Sequence, residues 1–493
     1  MKALDLTVLL AYLVLVVGVG FWFARRSGSS EGFMKAGGRL PGWVIGLSLF
    51  GTYLSSNTFI GVPGKAYAGN WNALVFSLSI PIAVLIATRF FVKFYRDTGE
   101  ISAYEHLERR FGVWARIYAV VCYLLTQVAR TATIMLGVAI GLQQVTGWDL
   151  ATIILVAGVL VTAYTLIGGI EAVIWTDAIQ SVVLTLGALV VIVLLLWQHP
   201  EGASGAFAVA FESDKFSLGS WDLTDVVSST VWVVLVYGLF INLTNFGIDQ
   251  NYIQRYHAAA TEAAAKRSLW IGAMLYVPVS LLFFLIGSLL FSFYESMPDE
   301  VAAIQAMAGE RKFEDSILPH FMANHLPAGV GGLILAALAA AAMSTIDTSL
   351  NSSATITLRD LWGRLVRKGK AVGEGESMWV LRIATVGWGV LGTGTALLLT
   401  GNAKNILDVW WKLSGIFAGG MLGLFLLGII VRKAGNAAAA TGVSAGVLTI
   451  FWLSSSWVPE HLKPVLHSQL TIVVGTLTIF LVGLGMSRVR GRC

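Results

Sequence analysis

Residues 48–67 read S-L-F-G-T-Y-L-S-S-N-T-F-I-G-V-P-G-K-A-Y. The stretch lies in an apolar segment long enough to enter a bilayer, yet Gly51, Thr52, Ser55, Ser56, Asn57 and Thr58 interrupt it. A helix facing lipid gains nothing from hydroxyls, an amide and a helix-weakening glycine. Polar, poorly helical backbone at membrane depth persists only where it is buried in protein or lines a watery cavity. The stretch therefore predicts a binding site built on a broken transmembrane helix.

The surrounding chain has the composition such a site requires. Its 493 residues are 56% hydrophobic and 12% charged, with a mean hydropathy of +0.76. Soluble domains carry roughly 25% charged residues, so the whole length reads as an all-α polytopic membrane protein. Apolar stretches of about 20 residues give about thirteen transmembrane helices, near 4–24, 43–68, 72–96, 113–144, 149–168, 172–198, 227–250, 267–296, 327–356, 378–400, 404–430, 436–457 and 467–487. Arg25, Arg26, Lys35, Arg39, Lys93, Arg96, Arg109, Arg110, Arg255, Lys266, Arg267, Arg359, Arg364, Arg367 and the basic C-terminal residues then fall in loops on one side. By the positive-inside rule the N-terminus is outside and the C-terminus cytoplasmic. The net charge of +5 arises from these short loops and does not imply nucleic-acid binding. Two cysteines, Cys122 and Cys493, make neither a disulfide framework nor a metal-ligand set. The first apolar run is followed by Arg25-Arg26 and lacks a small-residue cleavage site, so it reads as a retained helix.

A second interrupted span appears at residues 240–250, F-I-N-L-T-N-F-G-I-D-Q, where Asn242, Thr244, Asn245 and Gly247 occur at membrane depth. The two interruptions are five spans apart. Interrupted helices at corresponding positions of two halves are the signature of inverted-repeat secondary transporters. The division that follows is 1–42 as a first helix and linker, 43–198 and 227–431 as two five-helix repeats, 199–226 as an outer loop, and 432–493 as two peripheral helices with a basic tail. Asn and Thr as glue between helices is the alternative for either interruption alone. Residues 102–111 are amphipathic and predict an interfacial helix, and Thr261–Lys266 reads as a soluble helical linker.

Span nine contains A-A-A-A-M-S-T-I-D-T-S-L-N-S-S, which places Ser344 and Thr348 on one helix face with Thr345 and Asp347 close by. Hydroxyls and carbonyls suit a hard cation, and carbonyls freed at Gly51 and Leu54 are available where a helix breaks. Asp177 and Asp347 are membrane carboxylates and hence functional candidates. An interfacial cap facing water is the alternative for Asp177, and Asp347 calls for a proton or a cation beside it. Arg130, midway along span four, needs an anion. Two readings stay open: a buried pair with Asp249 or Asp347, or receipt of a substrate carboxylate. Asp408 and Lys412 predict a structural ion pair. The seventeen tryptophans call for no special role, and the seven histidines, in loops or at span ends, show no ligand spacing.

Five segments carry a resemblance: T-Y-L-S-S-N-T-F-I-G-V-P-G-K-A-Y-A-G-N-W (52–71), I-S-A-Y-E-H-L-E-R-R-F (101–111), G-G-I-E-A-V-I-W-T-D-A-I-Q (168–180), D-Q-N-Y-I-Q-R-Y (249–256) and A-A-A-A-M-S-T-I-D-T-S-L-N-S-S-A-T (339–355). In this order they resemble the sodium/solute symporter family over essentially the whole chain, and within it the bacterial sodium-coupled sialic acid transporters. The resemblance implies a leucine-transporter-type core of two inverted five-helix repeats with two broken helices. It implies a main sodium site on the carbonyls of Gly51, Leu54 and Ala341 with the hydroxyls of Ser344 and Thr345. A further sodium site is implied on Asp177, Ser344, Thr345 and Thr348, with Asp347 standing where those transporters have a serine. The substrate carboxylate would meet Ser55, Thr58 and Arg130, with Ser77 in place of a contributing glutamine. Sugar-carrying relatives lack an arginine at position 130 and have a tyrosine where this chain has Asn245. Tyr53 and Asn242 complete the expected substrate set.

The expectation is a sodium-coupled importer of an acidic solute, sialic acid first. A sodium- or proton-coupled carrier of another carboxylate or of a sugar-like solute is the competing reading. No enzyme chemistry and no organic cofactor are expected. The chain is expected to act as a monomer in the bacterial inner membrane.

Overall fold

Hydrocarbon offers backbone amides no partner, so apolar runs of this length close their hydrogen bonds internally as helices. The computed structural model describes residues 3–24, 28–308, 313–400, 406–455 and 457–490, and among them every long element is a helix. The expected basic loop at Arg25-Arg26 and the Asp408 side chain, with its expected Lys412 pair, lie outside what is described. Val14, Val193 and Leu398 face outward at 73%, 62% and 79% exposure, a surface that suits lipid and not water.

The chain opens with α1 (Ala3–Ala24) and then enters the interrupted span. Helix α2 (Gly42–Tyr53) stops, a wide turn spans Asn57–Gly61, and α3 (Val62–Ala68) resumes. The first half continues through α4 (Trp71–Thr98), α5 (Val113–Thr146) and α6 (Leu150–Gln198). After a long loop come α7 (Val231–Ile248), α8 (Gln250–Ala258) and α9 (Glu262–Glu295). Two short helices, α10 (Pro298–Ala308) and α11 (Glu314–Asn324), lead into α12 (Val330–Val366). The chain closes with α13 (Glu374–Leu399), α14 (Ile406–Ile430), α15 (Asn436–Ser454) and α16 (Thr471–Arg490). Helix α12 packs on α6 and reaches both α2 and α5, so its polar run faces the break.

Eleven described helices are long and apolar enough to cross a membrane, where about thirteen spans were expected. The count differs in two places. Helix α6 has 49 residues, about 73 Å at ~1.5 Å per residue, enough to cross a ~30 Å hydrocarbon layer twice. Only Gly169 leaves the helix within it, at φ 59° and ψ −175°, a conformation that glycine alone adopts without strain. The other difference is the broken span, whose halves α2 and α3 are each too short to count.

Three further expectations change. The span at 240–250 stays helical through Asn242, Thr244, Asn245 and Gly247, and the chain breaks only at Asp249 (φ −81°, ψ 120°). Thr261–Lys266 is no separate linker: Thr261 caps α9, its hydroxyl accepting from the Ala264 N–H at 3.1 Å. Arg255, expected in a basic loop, is wholly buried. The expected amphipathic segment does form a helix, Glu105–Phe111.

Candidate functional site

The break in residues 48–67 begins where Leu54 turns extended (φ −89°, ψ 103°). Pro63 stands at the start of α3, where its missing N–H costs no hydrogen bond. Gly51 lets the backbone lie on α6: a Cβ there would sit 2.5 Å from Ser181 Oγ and 3.1 Å from the Asp177 carbonyl.

The carbonyls freed at this break are met from α12. Ser344 Oγ donates to the Gly51 carbonyl at 3.2 Å, and Thr345 Oγ1 approaches the Thr52 carbonyl at 3.5 Å. Both hydroxyls also lie 3.3 Å from the Ala341 carbonyl. Gly51, Ala341, Ser344 and Thr345 are thus brought together as expected, and Thr52 joins them. Leu54 is buried at the break itself. Neutral carbonyl and hydroxyl oxygens, with no nitrogen or sulfur among them, fit a hard cation such as Na+.

The opposite side of the break faces a cavity of about 90 Å³. Tyr53, Ser55, Thr58, Ser77, Arg130 and Asn245 line it, with Tyr252, Tyr276, Trp410 and Trp411. Thr52 and Thr345 also reach it, so one wall belongs to both the oxygen cluster and the cavity. Ligand pockets usually offer ~300–1,000 Å³, so the walls must part to admit an organic solute. Asn242, expected to touch substrate, does not line the cavity. It is wholly buried, accepts from Tyr53 Oη at 2.5 Å and donates to Ser79 Oγ at 2.9 Å. Asn245 donates to the same tyrosine oxygen at 3.0 Å. These amides position Tyr53 across two helices, and that use keeps α7 helical.

Arg130 makes the buried pair with Asp249, one of the two readings open to it. Its Nη2 donates to Asp249 Oδ2 at 3.1 Å, and the guanidinium lies 5.2 Å from the Trp410 ring while lining the cavity. A guanidinium has five N–H donors, which leaves capacity for an anion beyond Asp249.

The second expected cation set is rearranged. Arg255 Nη2 donates to Asp177 Oδ2 at 2.7 Å and to Thr348 Oγ1 at 2.8 Å, taking two of the expected ligands. Ser48, Thr52 and the Asn251 carbonyl complete its contacts. Asp177 Oδ1 has no hydrogen-bond partner among the described residues. Asp347, also wholly buried, accepts from the Tyr164 hydroxyl and from the Thr348 N–H. Two carboxylates against one guanidinium give the cluster a formal charge of −1, and a buried charge without a counter-charge is costly.

Sequence reasoning gave no site role to Arg255 or to the Trp410-Trp411 pair, and it named Thr52 only as an interruption of the span. The tryptophans do have a role, and their signal was an adjacent pair within the chain of a span. Two histidines also acquire a neighbour: His320 and His325 face Glu300 of α10.

The family model described as sodium:solute symporter family matches residues 33–446. The sodium/sialic acid symporter NanT of Aliivibrio fischeri is 35% identical over 481 residues, covering 96% of this chain and 92% of that protein. The sodium/sialic acid symporter SiaT of Proteus mirabilis is 32% identical over 481 residues, covering 96% and 94%. Among solved structures, the substrate-bound outward-open state of a Na+-coupled sialic acid symporter superposes with a TM-score of 0.89 at 29% identity, covering 99% of this chain and 98% of that one. Sequence and backbone agree over nearly the full length, and the chain belongs to the sodium:solute symporter family.

Proposed function

We propose that this protein imports sialic acid together with sodium across the bacterial inner membrane, acting as a monomer by alternating access. One observation carries the reading: Thr52 and Thr345 border both a set of neutral oxygens suited to Na+ and a cavity that Arg130, Ser55 and Thr58 equip for a carboxylate. Sodium at that set would order the break, and the ordered break would present Ser55 and Thr58 to the solute. Coupling of this kind is reciprocal, so solute must raise sodium affinity by the same factor. Asp177 Oδ1 and the Asp347 carboxylate offer a second cation a place that Arg255 leaves open. Two sodium ions with one anion would move net positive charge inward, worth about 2.3 kcal/mol per charge per 100 mV.

The relatives named for sialic acid support the choice of solute, and the segments 43–198 and 227–431 are the halves that would rock. The N-terminus would lie outside and the C-terminus in the cytoplasm. The test is thermal stabilisation of the purified protein by acidic sugars, monocarboxylates and glucose, with and without sodium, followed by uptake into proteoliposomes. Sodium-dependent stabilisation by sialic acid, lost in Arg130→Lys, is the expected result. Stabilisation by glucose alone would overturn the role given to Arg130, and uptake indifferent to voltage would overturn the two-sodium stoichiometry.

A further inference from the structure

Away from the break, one cluster of metal-type ligands has no part in the transport reading. Glu300 on α10, His320 on α11 and His325 at the end of α11 each offer one ligand atom, and the three atoms lie within 4.8 Å of one another. Glu300 Oε2 is 3.0 Å from His325 Nε2 and 4.0 Å from His320 Nδ1. A single His–carboxylate hydrogen bond needs one imidazole, and here a second faces the same oxygen without bonding to it.

Both rings are held. The His325 ring lies nearly parallel to Phe321 at 5.5 Å and meets Phe293 edge-on at 5.0 Å. The Tyr294 hydroxyl lies 2.9 Å from His320 Nδ1, which puts a fourth polar atom at the edge of the set. His325 stands where α11 ends, its N–H returning to the Phe321 carbonyl at 2.9 Å. The turn there brings two histidines five residues apart toward one carboxylate. Side-chain exposures of 40% for Glu300 and 19% for His325 leave the cluster open to solvent.

We propose that Glu300, His320 and His325 bind a transition-metal ion of the Zn2+ class, and that the bound ion restrains the outer half of the broken span. Two imidazoles and a carboxylate with an open fourth position suit zinc. Nitrogen ligands suit Zn2+, Ni2+ or Co2+, whereas Mg2+ and Ca2+ prefer oxygen sets. The restraint follows from packing. A Cβ on Gly64 of α3 would lie 2.9 Å from the Glu314 carbonyl and 3.1 Å from Asp315 Oδ1, so the first turn of α11 rests on α3. On its other side α3 meets α9 at Gly287, where a Cβ would lie 2.9 Å from Pro63 Cα. An ion joining α10 to α11 beside the end of α9 would tie together the elements that clasp α3. The binding step stands independently of the proposed transport; the restraint rests on it.

The test uses the full chain, purified in detergent and stripped with a chelator. Micromolar Zn2+ should raise the melting temperature, Co2+ should give the visible absorption of a four-coordinate site, and Mg2+ and Ca2+ should do neither. Glu300→Gln, at a partly exposed position, and His325→Asn should each weaken binding by at least about tenfold. Zinc stabilisation that persists unchanged in both variants, or none at micromolar metal, would overturn the site. In proteoliposomes, Zn2+ on the α10–α11 side should slow sodium-driven uptake by the wild type and not by Glu300→Gln. Tight binding with no change in uptake would overturn the restraint. Binding is read from melting and absorption, so a protein that carries no sialic acid at all would fail the transport reading and leave the site standing.

Discussion

Residues 48–67 and residues 240–250 both place amides, hydroxyls and glycine within an apolar span, yet only the first leaves the helix in the middle of the run. The difference lies in which groups the neighbours satisfy. In the second stretch Asn242 and Asn245 hold Tyr53, the Thr244 hydroxyl donates back to the Phe240 carbonyl at 2.9 Å, and tyrosine hydroxyls meet backbone only at its end, on the carbonyls of Phe246, Gly247 and Ile248. In the first, carbonyls in the middle of the run, those of Gly51 and Thr52, are met by hydroxyls that α12 supplies. Polar residues at membrane depth therefore mark a site, and what they face decides whether the helix survives. The two stretches are also joined, because Arg255, just beyond the second, binds Ser48 and Thr52 of the first.

That junction is where the comparison is most easily broken. Asp177→Asn removes the anion facing a wholly buried Arg255, at a cost of about 3–5 kcal/mol. A large fall in melting temperature and loss of sodium-dependent uptake are expected. The double variant Asp177→Asn/Arg255→Met should recover part of that stability; if single and double variants melt alike, the pair is not what joins the two stretches. A smaller contrast comes from glycine. Gly51→Val would press on Ser181 and the Asp177 carbonyl, and Gly247→Ala would press on the Phe91 ring at 2.8 Å. Overpacking of this kind costs about 1–3 kcal/mol at either place. Only the Gly51 variant should weaken the sodium dependence of solute binding, and equal effects on sodium would erase the distinction drawn above. A loss no larger than that of overpacking belongs to Tyr53→Phe, which forfeits the bonds to Asn242 and Asn245 at about 0.5–1.5 kcal/mol each. Solute affinity should fall severalfold while sodium affinity measured without solute stays at the wild-type value.

Ala341 came only from the family resemblance, whereas the membrane class, the first break and the approach of Ser344 and Thr345 to the break at Gly51 were legible in the sequence. Each leaves a local mark: a long apolar run, or oxygens where lipid would select carbon. Arg255 was not legible. An arginine just past a span looks like any basic loop residue, and only the fold of α8 carries it inward to Asp177. Asn242 was misplaced for a related reason, since sequence shows an amide at membrane depth and not the direction it faces. The two spans read on either side of the paired glycines are the two arms of α6, and one residue, Gly169, makes the kink between them. The histidines read as unrelated because their common neighbour, Glu300, lies on a different helix.

The hydroxyls of Ser344 and Thr345 carry one more consequence. Where they donate to carbonyls, a hydroxyl that receives a cation must first turn its proton away and offer a lone pair. Sodium arrival would then exchange long contacts of 3.2 and 3.5 Å for shared coordination of the same oxygens. A carrier that releases its cargo inside must travel back unloaded. Hydroxyls able to bridge α12 to the break would let the return stroke proceed without exposing bare carbonyls to hydrocarbon.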